Sequence, residues 1–133
     1  MIIFSRESMI PKKEIMQAKI DARRYSRELI RDIFQATEHF PQNDPEGLGP
    51  QLRKKSLTIS SFLSHGTVKH SVEEQKEDFL LVMAELRQVL KLITIAHHLR
   101  YATDLEKSKV RSSISNLINA LDKLVIAVGG FES

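Results

Sequence analysis

Residues 47–69 read GLGPQLRKKSLTISSFLSHGTVK, a cluster of chain breakers that runs straight into a helical period. Gly47, Gly49 and Pro50 follow a loop rich in Asp, Asn and Pro. A proline fits the first helical turn, where its missing N–H would lack an intrahelical partner anyway, so a helix is expected to start at Pro50. Leu52, Ser56, Ile59, Leu63 and Gly66 then recur at four- and three-residue steps, which stacks them on one face. Ser56 and Gly66 are small, so a neighbouring helix has room to approach closely.

The same stretch carries the chain's densest positive charge. Between Pro50 and Val72 there is no Asp or Glu, whereas Arg53, Lys54, Lys55 and Lys69 are cationic. At about 100° per residue, Arg53-Lys54-Lys55 fans across roughly 200° of the helix instead of forming a flat patch. Two readings stand together: a solvated basic helix end, or a contact with nucleic-acid phosphates.

Upstream, Ile15, Ala18, Ala22, Tyr25, Leu29, Ile33, Ala36 and Phe40 keep a three/four spacing, the mark of a long amphipathic helix over about 12–40. Pro41 and Pro45 end it. Opposite that stripe Arg24, Arg27 and Arg31 share an outer face with Arg23 at its edge, and Glu28, Asp32 and Glu38 lie within pairing reach. Residues 1–10, with Ile2, Ile3 and Phe4, are weakly patterned and read as an N-terminal arm.

Downstream, Ser71 with Glu74, and Thr103 with Glu106, have capping-box spacing. They open helices expected over about 72–100 and 104–128, the second carrying Ile114, Leu117, Leu121 and Leu124 on one face and stopped by Gly129-Gly130. With the helix over about 50–69 this makes four, joined by short connections. The predicted fold is all-α: an antiparallel up-down-up-down four-helix bundle over 11–130, with no internal repeat evident.

The third helix is unusual in showing two apolar stripes. Phe79, Val82, Met83, Leu86, Leu90 and Ile93 make the expected core face, and Leu81, Ala84, Leu92, Ile95 and Leu99 make a second. Ile30 and Phe34 sit off the core stripe of the first helix in the same way. An exposed apolar face of that size marks an interface, so these seven residues predict a cyclic homo-oligomer. The alternative is a splayed bundle in which the third helix is the most buried member.

Composition narrows the chemistry. A chain of 133 residues is one domain's worth. It has no cysteine, which removes disulfides, thiolate catalysis and cysteine-ligated zinc and suits a reducing cytoplasm. The net charge of +3, from 20 Lys/Arg and 17 Asp/Glu, permits a polyanionic partner. No apolar run resembles a signal peptide or membrane span, so a soluble, cytoplasmic chain with no membrane partner is expected. His39, His65, His70, His97 and His98 show no ligand spacing, and neither a nucleophile elbow nor a glycine-rich phosphate loop is present. No metal, cofactor or enzymatic activity is expected. Tyr25, Phe40 and Phe79 fall on core stripes, so any nucleic acid would be held by phosphates and shape.

One set of residues carries a family resemblance: Phe40-Pro41 closing the first helix; Gly47-Leu48, Gln51-Leu52-Arg53-Lys54, Ser56, Ile59 and Gly66 in the second; Phe79-Leu80 and Ala96 through Tyr101 in the third. In these the chain resembles the four-helix bundle proteins encoded by intervening sequences in bacterial 23S rRNA genes, with which accessory proteins of diversity-generating retroelements share architecture. It diverges from the family pattern at Phe62 and His65, just ahead of the matching Gly66, and over Glu85-Leu86-Arg87-Gln88-Val89. The resemblance implies a basic homopentamer that binds structured RNA and a reverse transcriptase. Combined with the charge reading, it predicts a non-enzymatic accessory protein that contacts RNA or DNA through Arg23, Arg24, Arg27, Arg31, Arg53, Lys54, Lys55 and Lys69. The alternative is a homo-oligomeric scaffold for protein partners with no nucleic-acid role.

Overall fold

Capping chemistry sets where three of the four helices begin. The computed structural model describes residues 10–68 and 71–129, which form four helices and, among the described residues, no strand: α1 (Lys12–Thr37), α2 (Leu48–Thr67), α3 (Val72–His98) and α4 (Asp104–Ala127). The second starts two residues before Pro50. Gly47 turns the chain through the left-handed region at φ 60, and the Asp44 carboxylate accepts from the Leu48 N–H at 2.7 Å and the Glu46 N–H at 3.2 Å. A side chain upstream of the breaker cluster thus satisfies the exposed amides.

Of the two capping boxes expected, the second is complete: Thr103 and Glu106 exchange both bonds, at 3.1 and 2.9 Å. At the first, Ser71 Oγ accepts from the Glu74 N–H at 3.2 Å, the N-cap half of the box. At the end of α3 the Tyr101 N–H reaches the Ala96 carbonyl at 2.8 Å and the Arg100 N–H reaches that of His97 at 3.0 Å, the Schellman arrangement. Its left-handed position, φ 65, falls on Arg100, where glycine is the usual occupant. The first helix stops at Thr37, and Phe40 turns back to lie buried against the Tyr101 ring, 5.7 Å between centroids.

Helix α1 packs on α2 and α4, and α3 packs on α2 and α4. Neighbours run antiparallel: Arg23, early in α1, bonds Thr67 at the end of α2, Lys55 meets Glu85 across α2 and α3, and Asp32, late in α1, receives the Ser113 hydroxyl from early in α4 at 2.7 Å. Leu29, Ile33, Leu52, Ile59, Phe79, Leu86, Leu117 and Leu121 are buried at the centre, each contributing about 1.5–3 kcal/mol. The close approach expected at Gly66 is present. A Cβ there would stand 2.9 Å from Phe79 Cε1 and 3.0 Å from Asp78 Cβ.

The second stripe of α3 does not form one outer face. Leu92 is only 8% exposed and belongs to the core, and Ile95 is half-buried against it. At about 100° per residue Leu92 lies about 20° from Glu85, the residue that meets Lys55, so it closes the seam between α2 and α3. Only Leu81, Ala84 and Leu99 of the stripe face solvent. Ile30 and Phe34 are likewise half-buried, and the Arg53 guanidinium covers the Phe34 ring at 4.7 Å. Phe34 thus lies at the seam between α1 and α2.

The first two helices also correspond to each other. Ala22, Arg23, Ser26, Leu29, Ile33, Ala36 and Thr37 match Leu52, Arg53, Ser56, Ile59, Leu63, Gly66 and Thr67, position 23 with 53 and 37 with 67. In both sets every position but the arginine is buried. The contacts are reciprocal: Arg23 bonds Thr67 and Arg53 bonds Thr37. An approximate two-fold relation therefore links α1 and α2, a repeat that the sequence reading misses because only the buried face carries it.

Candidate nucleic-acid interface on α1 and α4

The predicted cations divide by what their side chains reach. Arg53 donates to Thr37 Oγ1 at 2.7 Å and to the Phe34 carbonyl at 3.3 Å. Arg23 donates to Thr67 Oγ1 at 2.9 Å, and the Lys55 ammonium lies 3.3 Å from Glu85. These three tie helices together. On the outer face of α1, Arg24 pairs with Asp21 at 3.5 Å and covers the Tyr25 ring at 4.8 Å, while Arg31 reaches Asp32 at 3.5 Å with its side chain 62% exposed. Arg27 is exposed, and neither it nor exposed Lys54 makes a hydrogen bond or ion pair among the described residues. Lys69 lies outside the described residues.

The α1 stripe and the α2 run are thus not one patch. Arg24, Arg27 and Arg31 stand together on an outer face, whereas two of the three α2 cations point into seams. What α1 adjoins instead is the exposed side of α4, which the sequence reading passed over.

Residues 107–116 of α4 read KSKVRSSISN. Ser108, Ser112 and Asn116, four apart, form a low polar ridge with a groove on each side. Toward α3 the groove, about 560 Å³, is lined by Lys107, Arg111, Ser115, His97 and Asp104. Toward α1 the groove, about 540 Å³, is lined by Lys109, Arg31, Gln35, Glu28 and Asp32. Steps of two residues turn about 200°, so Lys107 and Lys109 fall to opposite flanks of the ridge. That spread hid them: the chain alternates cation and apolar or hydroxyl residues, and a search for one-sided charge stripes finds none. The signal available was the run of small polar residues on a helix whose other face is apolar.

Two of the three carboxylates in these grooves are engaged, and the third, Glu28, makes no hydrogen bond or ion pair among the described residues. Asp32 accepts from Ser113 at 2.7 Å and pairs with Arg31; Asp104 bonds the His97 ring. Apart from Glu28, the remaining groups along the ridge and its flanks are cations, hydroxyls and amides, a set that suits phosphate oxygens. The other described histidines with carboxylate partners join helices too: His39 meets Glu106 at 3.1 Å, and His65 bonds Asp78. Among the described residues no three His, Asp or Glu side chains gather as metal ligands, and no helix is long and apolar enough to cross a membrane. Set against known proteins, the sequence matches no family model, and the search of curated proteins returns no match.

Proposed function

We propose that this chain is a non-enzymatic accessory protein that associates with structured RNA, acting as a homo-oligomer. The observation that carries the reading is the α1–α4 side of the bundle, where Arg31 shares a groove with Lys109 and the Ser108-Ser112-Asn116 ridge of the next helix, and Arg24 and Arg27 are exposed farther along α1. Such a surface grips phosphates along its length without reading bases. Repetition of a +3 chain around a closed assembly multiplies the field that each copy offers. The resemblance to intervening-sequence and retroelement accessory proteins supports the same reading and adds a reverse transcriptase and a pentamer as its partner and form.

The test is retention of a structured RNA on a filter across a salt series. Replacement of Arg24, Arg27 and Arg31 by Glu is expected to abolish retention at low salt, and the logarithm of the wild-type affinity is expected to fall linearly with log salt. Retention unchanged in the triple variant overturns the reading. Exposed Leu57 and Leu81, at 51% and 40%, favour a second reading, a self-assembling scaffold for protein partners. Binding by that route would barely respond to salt.

A further inference from the structure

Helix α1 is longer than the partner that covers it. Arg23 bonds Thr67, the last residue of α2, so residues 12–22 of α1 run on past the end of α2 by about 16 Å. Met16, one heptad before Arg23 and on the same face, is consequently 65% exposed, and Ile20 is 53% exposed. Here the bundle has three helices where elsewhere it has four. The gap is a cleft of about 540 Å³ walled by Ile15 of α1, Phe79 of α3, and Leu124 and Val128 at the end of α4. Its volume falls within the range of small-molecule pockets, about 300–1,000 Å³.

The wall and the rim differ in chemistry. Those four walls are hydrocarbon, whereas Lys12 and Lys19 stand at the rim, seven residues apart and so on the same face of α1, with Ile15 between them. Neither lysine makes a hydrogen bond or ion pair among the described residues. An apolar floor under two cations selects against a bare phosphate, which gains nothing from hydrocarbon, and against a neutral alkane, which leaves the ammonium groups unanswered.

We propose that this cleft binds a single-chain anionic amphiphile, a fatty carboxylate, with its alkyl chain on Ile15, Phe79, Leu124 and Val128 and its carboxylate at Lys12 and Lys19. The site lies apart from the α1–α4 grooves and stands or falls independently of RNA binding.

The experiment is a methyl NMR titration of the full chain with sodium dodecanoate below its micelle concentration. Saturable shifts of the Ile15, Leu124 and Val128 methyls are expected, with those of Leu52 and Val110 near the other end of the bundle unmoved. Lys12→Glu combined with Lys19→Glu should weaken dodecanoate by about tenfold or more while leaving the weaker binding of dodecanol as it was. Affinity for dodecanoate unchanged in the double variant overturns the proposal, as do shifts spread evenly over the bundle. So does a titration in which dodecanoate moves none of these methyls while anionic phospholipid vesicles do, since the cleft would then serve a membrane surface and not a free carboxylate.

Discussion

The guanidinium of Arg53 donates to the Thr37 hydroxyl at 2.7 Å, holding the last residue of α1 to the first turns of α2, and Arg23 repeats the contact to Thr67 at the opposite end of the pair. Two helices are thus fastened at both ends by the same two residue types. Thr37 and Thr67 are both buried, and Thr37 donates to the Ile33 carbonyl at 2.7 Å, but Arg53 is half-buried where Arg23 is exposed, so the Arg53 end is the better shielded. A hydrogen bond to a charged group contributes about 1.5–3 kcal/mol.

Thr37→Val is therefore expected to lower stability to urea by about 1.5–2 kcal/mol, with Thr67→Val costing less because the exposed Arg23 can turn to water. Arg53→Met should cost at least as much as Thr37→Val, since it also uncovers the Phe34 ring. The double variant should show a coupling of about 1 kcal/mol. Strict additivity in denaturant melts would mean that the contact contributes nothing.

The correspondence between α1 and α2 pairs Ser26 with Ser56, and the two differ. Ser56 Oγ donates to the Arg53 carbonyl at 2.8 Å, whereas the buried Ser26 hydroxyl has no partner among the described residues. An unsatisfied buried hydroxyl costs about 1–3 kcal/mol. Ser26→Ala is accordingly expected to raise the melting temperature by a few degrees, and Ser56→Ala to leave it level or lower it. Calorimetry that gives the two variants the same shift would show that Ser26 finds a partner in solution.

Most of the fold was legible from periodicity and caps. The Thr103–Glu106 and Ser71–Glu74 spacings located two helix starts, and the four/three steps through Leu52 and Gly66 identified the buried face of α2. What failed was anything that depends on which flank of a helix meets a neighbour. Leu92 and Leu81 lie about 20° apart on α3, yet one is 8% exposed and the other 40%, because coverage by α2 varies along the helix axis and a single-helix projection has no such coordinate. The same limit applies to the basic residues. Arg53 and Lys54 are adjacent in sequence, but only Arg53 has Thr37 and Phe34 within reach. The α4 ridge was missed because its cations alternate across the helix instead of stacking on it.

Gly66 allows α2 to rest directly on the Phe79 ring. A methyl group would approach Cε1 to 2.9 Å and Asp78 Cβ to 3.0 Å, and the ring is itself buried at 1% exposure, so it has little room to give. Overpacking of this kind costs about 1–3 kcal/mol, against a helix-propensity gain of about 1 kcal/mol for Gly→Ala. Gly66→Ala should be net destabilising by chemical denaturation. A stabilised Gly66→Ala would show that α2 and α3 pack less closely than these distances require.

Charge placed on α3 separates the interior from the assembly surface. Leu92 sits in the core of each chain, so Leu92→Glu would bury an unpaired carboxylate and is expected to cost several kcal/mol, unfolding the chain whatever its oligomeric state. Leu81 and Ala84 are exposed and about 60° apart on the outer side of the helix, so Leu81→Glu with Ala84→Glu should leave the fold intact. If the chain assembles through this face, light scattering will give a multiple of the chain mass for the wild type and a folded single chain for the Leu81/Ala84 pair. A multiple that survives the pair would move the interface elsewhere, with Leu57 of α2, at 51% exposure, the next residue to charge. A wild type that scatters as one chain would remove the ring, and with it the multiplied field on which the proposed RNA affinity partly depends.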